Sequence, residues 1–211
     1  MPEITFTEKP HAIWHGRDRI PTVTQVLGAL GFIDTDWFTV ESRIRGQRVH
    51  EATHLLDVGD LNWDSLKRIE EALGEPIIPY IQAWERFKRE TGFIAHIIER
   101  PCWNKAYRVG GVVDRVGEFP NDNRDSVLDL KTMASGSRVP FWTRYQVAGY
   151  DEMLPRPGGR HRFRWGVGLK PNGDYVLEQF TDINDGIKFL GMATIFHEGF
   201  KHGIYRYHDE D

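Results

Sequence analysis

The chain has 211 residues, of which 40% are hydrophobic and 27% charged, with a net charge of −4. These values are typical of one globular domain, and we expect a single domain over 1–211, with an N-terminal hairpin and helical part (1–92) and a sheet part (93–211). The single cysteine, Cys102, excludes an internal disulfide and a cysteine-based zinc or iron–sulfur site. Neither a membrane span nor a signal peptide is recognisable, so we expect a cytoplasmic protein.

The first half of the chain is predicted to contain a β-hairpin followed by helices. Alternating apolar and polar residues around HGRD predict the hairpin near the N-terminus. Thr22 is in position to cap a short helix through VTQVLGAL. Helical periodicity then continues from Asp36 to about Asp57, and it returns in SLKRIEEAL and in PIIPYIQAWERFKRE, which ends at Gly92.

The second half changes to strands. FIAHIIERPCW, YRVGGVVDRVGEF and SVLDLKTM are rich in β-branched and aromatic residues and predict three consecutive strands. Pro140 is predicted to open a helix through FWTRYQVAGYDEML. RFRWGVGL and DYVLEQF then form a hairpin across KPNG, and a last helix extends from near Asp182 towards His202. This order of elements indicates an α/β domain with a central sheet.

Two aspartates are predicted to face each other on paired strands. If the second and third strands turn about Asn121-Asp122, Asp114 lies opposite Asp129. Opposed residues have Cβ atoms about 4.5–5.5 Å apart, where like charges destabilise a sheet. Lys131 leaves the same face of its strand as Asp129, but one ammonium does not satisfy two carboxylates. Such oxygen ligands suit Mg²⁺ or Mn²⁺. The alternative for an isolated D-x-K is an ordinary ion pair on an exposed sheet face.

The helix around His50 supports more than one interpretation. HEATH matches the HExxH motif of zinc peptidases, with His50 and His54 as ligands and Glu51 as base. However, Asp57 stands where the extended zinc motif has a glycine. Counted from Gly46, the same histidine instead closes a G-x-x-x-H motif. A plain solvated helix is the third interpretation.

One face of this helix favours a phosphate-bearing ligand. Arg43, Gln47, His50 and His54 follow i, i+4, i+7, i+11 spacing and therefore share that face. Gly46 lies one turn before His50 and leaves room for close approach. A face of this kind suits a phosphate group beside a metal ion better than it suits a peptide.

Taken in order, the motifs resemble those of the PD-(D/E)XK nuclease superfamily and, within it, the RecB-like exonuclease group of phages and bacteria. The resemblance extends along most of the chain, through IPTVTQVL, Gly46-x-x-x-His50, Glu99 in IIERP, Asp114 in GGVVDRV, Asp129-x-Lys131 in VLDLKT, and Gln146 and Tyr150 in QVAGY. The four-cysteine cluster of some relatives is missing from the sequence, as is any helicase motif.

The resemblance implies a restriction-endonuclease-like fold, with a central mixed β-sheet flanked by helices. It also implies an Mg²⁺- or Mn²⁺-dependent DNA nuclease, an exonuclease that leaves 5′-phosphates. Such an enzyme would work on single- or double-stranded ends in the bacterial cytoplasm, or in the host cytoplasm if phage-encoded. Its partner would be a recombination or replication protein.

The resemblance also implies a role for each matching residue. His50, Asp114, Asp129 and the Leu130 carbonyl would hold the metal. Lys131 would position or deprotonate the attacking water, and Glu99 would orient that water or help to hold a second ion. The implied contacts to nucleic acid are Gln146 and Tyr150, to which we add Arg43 and Arg144. A zinc peptidase and a non-cleaving nucleic-acid-binding module of the same fold are the alternatives, and the intact acids and lysine favour the nuclease.

Overall fold

The structure of the protein is a computed structural model that describes residues 4–7, 12–33 and 39–207. Within these ranges the strands form two sheets. The smaller sheet is antiparallel and comprises β1 (Ile4–Thr7), β2 (Ala12–His15) and β3 (Asp18–Ile20). The larger sheet has five strands in the order β4 (Ile94–Asn104), β5 (Val109–Glu118), β6 (Ser126–Thr132), β7 (Phe163–Leu169) and β8 (Tyr175–Gln179).

Helices cover both faces of the larger sheet. The α-helices of the described residues are α1 (Val23–Ala29), α2 (Val40–Val58), α3 (Trp63–Leu73), α4 (Ile78–Thr91), α5 (Thr143–Met153) and α6 (Asp185–Lys201). On one face α1, α5 and α6 enclose a core that includes Val147, Phe189 and Phe196. On the other face α2 and α4 enclose a core that includes Trp84 and Leu128.

The larger sheet is mixed. β4, β5 and β6 pair antiparallel, β6 pairs parallel with β7, and β8 is antiparallel to β7. The connection from β6 to β7 contains α5, because parallel neighbours need a crossover that spans the sheet. This crossover places the first turns of α5 beside the C-terminal half of β6, which carries Asp129 and Lys131.

Local sequence signals explain several helix boundaries. The Thr22 hydroxyl accepts a hydrogen bond from the Gln25 amide, and the Gln25 side chain accepts one from the Thr22 amide. This reciprocal capping box begins α1 where the sequence predicts it. Gly92 ends α4 at φ 70°, a left-handed conformation in which glycine has no Cβ to clash.

The predicted order of helices and strands is confirmed, with small differences. β1 pairs with β2, so the N-terminal hairpin is part of a three-stranded sheet. α5 begins at Thr143 rather than at Pro140, whose carbonyl accepts a hydrogen bond from the Thr143 amide in the preceding turn. The predicted start of the second helix, Asp36, lies outside the described residues. Within the ranges that the structure covers, we find no helix long and apolar enough to cross a membrane.

The Cys102 thiol is expected to be unreactive in the folded protein. Cys102 is 6% exposed, and burial raises the pKa of its thiol to about 12. Because the thiolate is the reactive form, an aromatic disulfide reagent should label Cys102 in guanidinium chloride but not in native buffer. Equal labelling rates in the two conditions would contradict this packing of β4.

Candidate functional site

Two aspartates face each other on β5 and β6, at the register that the sequence predicts. Arg115 pairs with Leu128, and the next pairs continue the same antiparallel register. Extended by one residue in the other direction, the same register places Asp114 opposite Asp129. Both aspartates are buried, with 7% and 1% of their surfaces exposed. Two carboxylates in such a place need a cation nearby.

A third carboxylate, Glu99, joins them from β4. The pair Ile98 and Arg115 and the pair that follows it place Glu99 beside Asp114. Acids from three neighbouring strands therefore lie in one row across the sheet. The backbone of Glu99 has φ 47°, in the left-handed region. A residue other than glycine keeps a left-handed backbone only where the surrounding structure fixes it, at a cost on the order of 1–3 kcal/mol.

His50 completes this group from α2. Its Nδ1 lies 3.5 Å from Glu99 Oε1 and 3.8 Å from Asp114 Oδ1. Each of the three residues offers one ligand atom, and these atoms all lie within 4.8 Å of one another. In the parts of the chain that the structure describes, no other histidine, cysteine and carboxylate group meets this spacing. Asp129 lies outside this trio although it faces Asp114.

Asp114 is fixed by the backbone of the neighbouring strand. Its Oδ2 accepts a hydrogen bond of 2.7 Å from the Leu130 amide, so Oδ1 is the oxygen directed towards His50. Leu130, the predicted carbonyl ligand, is therefore adjacent to the carboxylate that we expect to bind the same ion.

Asp129 belongs to a chain of polar contacts that leads onto α5. Its Oδ2 lies 2.6 Å from Lys131 Nζ. Lys131 donates a hydrogen bond to Gln146 Oε1 at 2.9 Å, and Gln146 Nε2 donates one to the Tyr150 hydroxyl at 3.1 Å. The Lys131 ammonium also lies 4.6 Å from the centre of the Trp142 ring, which packs it by a cation–π contact.

Burial and charge shift the protonation of the site. Burial raises the pKa of Asp114 to about 7; the nearby His50 opposes this shift, whereas Asp129 and Glu99 add to it. Burial alone would lower the pKa of His50, but Asp114 and Glu99 outweigh it and raise that pKa to about 9. For Glu99 the effect of burial is overcome by His50 and Arg115, which lower its pKa. Without a metal ion, a proton on His50 joins Lys131 and Arg115 in balancing the charge of the acids.

The donor set fits a divalent cation. The Lys131 ammonium lies 2.6 Å from the buried Asp129 Oδ2 and already serves as the cation for that oxygen. His50, Glu99 and the buried Asp114 offer one ligand atom each within a single group, and a buried carboxylate such as Asp114 needs a cation or donors of its own. Carboxylates with one imidazole suit Mn²⁺, and carboxylates alone suit Mg²⁺.

The two predicted arginine contacts have different surroundings. Arg43 is exposed on α2, seven residues before His50. Arg144 instead donates hydrogen bonds to Asp185 and Asp182, next to α6. The contacts recorded for the described residues do not join Arg144 to the acidic row, so its role in binding DNA stays a prediction.

The HExxH interpretation is not favoured by this geometry. The ligand group contains His50 but not His54. Glu51 is exposed and accepts hydrogen bonds from Arg48 and Gln47 on its own helix, instead of facing the acidic row. One histidine of the motif therefore points into the site while the proposed peptidase base is occupied elsewhere.

Arg115 is a site residue that the sequence does not single out. Its side chain is fully buried, and it contacts Glu99, Asp57 and Thr53 from the strand that carries Asp114. The sequence feature that points to such a role is an arginine within the apolar strand VVDRV, because a buried charge without a partner is too costly.

The comparisons with known proteins identify the fold. No family model and no curated protein match the chain. A crystal structure of a candidate exonuclease from Eubacterium rectale aligns with a TM-score of 0.58 at 15% identity, covering 89% of this chain and 83% of that chain. An alkaline exonuclease from Laribacter hongkongensis aligns at 12% identity over 87% of this chain and 88% of that one, but its TM-score of 0.40 supports no argument. The chain therefore shares the mixed α/β fold of the Eubacterium rectale structure, with the central mixed sheet flanked by helices that its motifs predict.

Proposed function

We propose that the protein is an Mg²⁺- or Mn²⁺-dependent exodeoxyribonuclease of the RecB-like group. It hydrolyses phosphodiester bonds at DNA ends and leaves 5′-phosphates. The observation that carries this proposal is the row of Glu99, Asp114 and Asp129, with His50 at one end and Lys131 beside it. The similarity in fold to the Eubacterium rectale structure supports it.

The residues that would hold the ion come from three parts of the chain. We assign His50 from α2, Asp114 from β5, and Asp129 with the Leu130 carbonyl from β6. Glu99 lies within the same ligand group, which supports its role beside the ion or the attacking water. When bound, the ion would supply Lewis-acid chemistry, polarising a phosphoryl oxygen and making a nearby water molecule easier to deprotonate.

Lys131 supplies the fixed positive charge of the site. Asp129 and Gln146 both hold its ammonium, and Trp142 packs against it. A charge held in this way requires little rearrangement when negative charge develops on the phosphoryl oxygens, and it stabilises that charge most in the transition state. Gln146 and Tyr150 keep Lys131 in place. Both are buried, at 6% and 4% exposed, so their contact with the DNA backbone stays a prediction.

The same resemblance supports a setting for this activity. We place the protein in the cytoplasm of a bacterial or phage-infected cell, acting as a single domain. We propose a recombination or replication protein as its partner.

Digestion of end-labelled DNA tests the proposal directly. Single-stranded, double-stranded and circular substrates are incubated with Mg²⁺, with Mn²⁺ or with EDTA, and the product ends are tested with a 5′-phosphate-dependent ligase. We expect metal-dependent release of short products from linear DNA and none from circles. Cleavage of circles would replace the exonuclease with an endonuclease, and DNA binding without cleavage would leave a nucleic-acid-binding module.

Alanine substitutions on α2 separate the nuclease from the zinc peptidase. His50→Ala is expected to lose most DNA cleavage, because His50 lies beside Glu99 and Asp114. Glu51→Ala and His54→Ala should retain most activity, because neither residue belongs to the ligand group. Cleavage rates and the zinc content of each purified variant are measured. Stoichiometric zinc that disappears in His54→Ala would instead establish the peptidase site.

A further inference from the structure

A buried guanidinium lies behind the acidic row. Arg115 follows Asp114 on β5 and leaves the opposite face of the strand, towards α2 and α4. Its NH1 donates hydrogen bonds to Glu99 Oε1 at 3.0 Å and to the Asp114 carbonyl at 2.7 Å. The side chain is 0% exposed. One cation therefore contacts the side chain of one member of the ligand group, Glu99, and the backbone of another, Asp114.

Arg115 also reaches His50, the third member of this group, through a hydroxyl. Its NH2 donates a hydrogen bond to Thr53 Oγ1 at 3.1 Å. Thr53 Oγ1 in turn donates one to the His50 carbonyl at 2.9 Å. This contact ties the turn of α2 that carries His50 to the guanidinium. Arg115 thus connects His50, Glu99 and Asp114, and its partner on Glu99 is Oε1, the oxygen that lies 3.5 Å from His50 Nδ1.

Asp57 holds Arg115 in position. Its Oδ2 accepts a hydrogen bond from Arg115 Nε at 2.6 Å, and its Oδ1 accepts one from Lys88 Nζ at 2.6 Å and one from Trp84 Nε1 at 3.0 Å. The guanidinium also lies 5.7 Å from the centre of the Trp84 ring. With its own carboxylate fully engaged, Asp57 fixes the direction in which Arg115 points.

We propose that Arg115 is a positioning residue, which sets Glu99, Asp114 and His50 at the spacing that a metal ion needs. The inference rests on the proposed function and deepens it. Glu99 has a left-handed backbone and approaches from an irregular stretch of β4, so its side chain needs a fixed partner. A planar guanidinium reaches four groups in set directions, whereas a lysine at this position provides only a point charge.

Thr53→Val is the most selective test, because it replaces a hydroxyl by a methyl of similar size. Mn²⁺ affinity is measured by calorimetry on the full chain without DNA. Thermal unfolding is followed on the metal-free protein, and kcat and KM are determined with one oligonucleotide. We expect Mn²⁺ affinity to fall by about 10- to 100-fold, with kcat reduced and KM for DNA unchanged, as is typical when residues behind a ligand are altered. Arg115→Lys should change the same quantities in the same direction.

Matched controls separate positioning from general packing. Thr53→Ser keeps the hydroxyl and should bind Mn²⁺ with wild-type affinity. Thr194→Val removes an equivalent hydrogen bond to a helix carbonyl on α6 and should have no effect. Arg86→Lys alters an exposed arginine on α4, paired with Glu90 and Asp174, and should likewise leave metal binding unchanged.

Each outcome supports or overturns the inference. Unchanged Mn²⁺ affinity in Thr53→Val overturns it, whatever happens to thermal stability. A Thr53→Val protein that fails to fold also overturns it, because the contact would then serve the fold instead of the site. If the wild-type protein neither binds Mn²⁺ nor cleaves DNA, the proposed function fails and this inference fails with it.

Discussion

Asp114→Asn and Asp129→Asn are each expected to reduce DNA cleavage to background and to weaken Mn²⁺ binding. Each change keeps the size of the side chain and removes one negative charge from the acidic row. The remaining acids and His50 then bind a divalent cation less tightly, and the chemical step loses its metal. Cleavage is measured with end-labelled DNA at saturating Mn²⁺, and Mn²⁺ affinity by calorimetry.

The control for these two variants is Asp122→Asn. Asp122 is an exposed aspartate in the turn between β5 and β6, and its replacement should leave both measurements unchanged. Wild-type cleavage by Asp129→Asn would remove the basis of the nuclease assignment.

Lys131→Ala is expected to lower kcat by about 10²- to 10³-fold while KM for DNA and Mn²⁺ affinity change little. The ammonium is held by Asp129 and Gln146 before any substrate arrives, so its charge acts mainly when negative charge develops in the transition state. Steady-state kinetics with one oligonucleotide give kcat and KM separately.

Lys105→Ala provides the comparison for Lys131→Ala. Lys105 is exposed in the turn between β4 and β5, and both kinetic constants should stay at the wild-type values. A Lys131→Ala enzyme with a raised KM and an unchanged kcat would make Lys131 a phosphate anchor with no special part in the chemical step.

The sequence predicts the facing of Asp114 and Asp129 because a strand register follows from the position of the turn. Capping and periodicity are similarly local, and they account for the boundaries of α1 and α4. Both kinds of signal depend on residues that are close together in the chain.

Contacts between distant residues are not predictable in this way. From the sequence, Asp114 and Asp129 are a pair of like charges that repel each other. Removing either one is therefore expected to leave the metal-free fold no less stable. The structure shows that Asp114 also accepts a hydrogen bond from the buried Leu130 amide. Asp114→Ala should therefore destabilise the protein by about 1–3 kcal/mol, whereas asparagine can keep an acceptor there.

The charged residues that the sequence assigns by type show the same limit. Arg144 is predicted to contact DNA, but its partners in the structure are Asp182 and Asp185. The sequence does not reveal the role of Arg115, because its partner Asp57 lies far away in the chain. Ion pairs between residues that are distant in the chain decide which positively charged side chains remain available to bind a ligand.

The row of acids is assembled from strands and a helix that are separate in the sequence, and this has a thermodynamic consequence. His50, Glu99, Asp114 and Asp129 are brought together only when α2 has docked on the folded sheet, so an unfolded chain has no comparable site. A cation that binds the native state alone stabilises it by mass action, by about 2.7 kcal/mol at a hundred times its dissociation constant. The ion that the site is proposed to use for chemistry would then also raise the melting temperature of the whole domain.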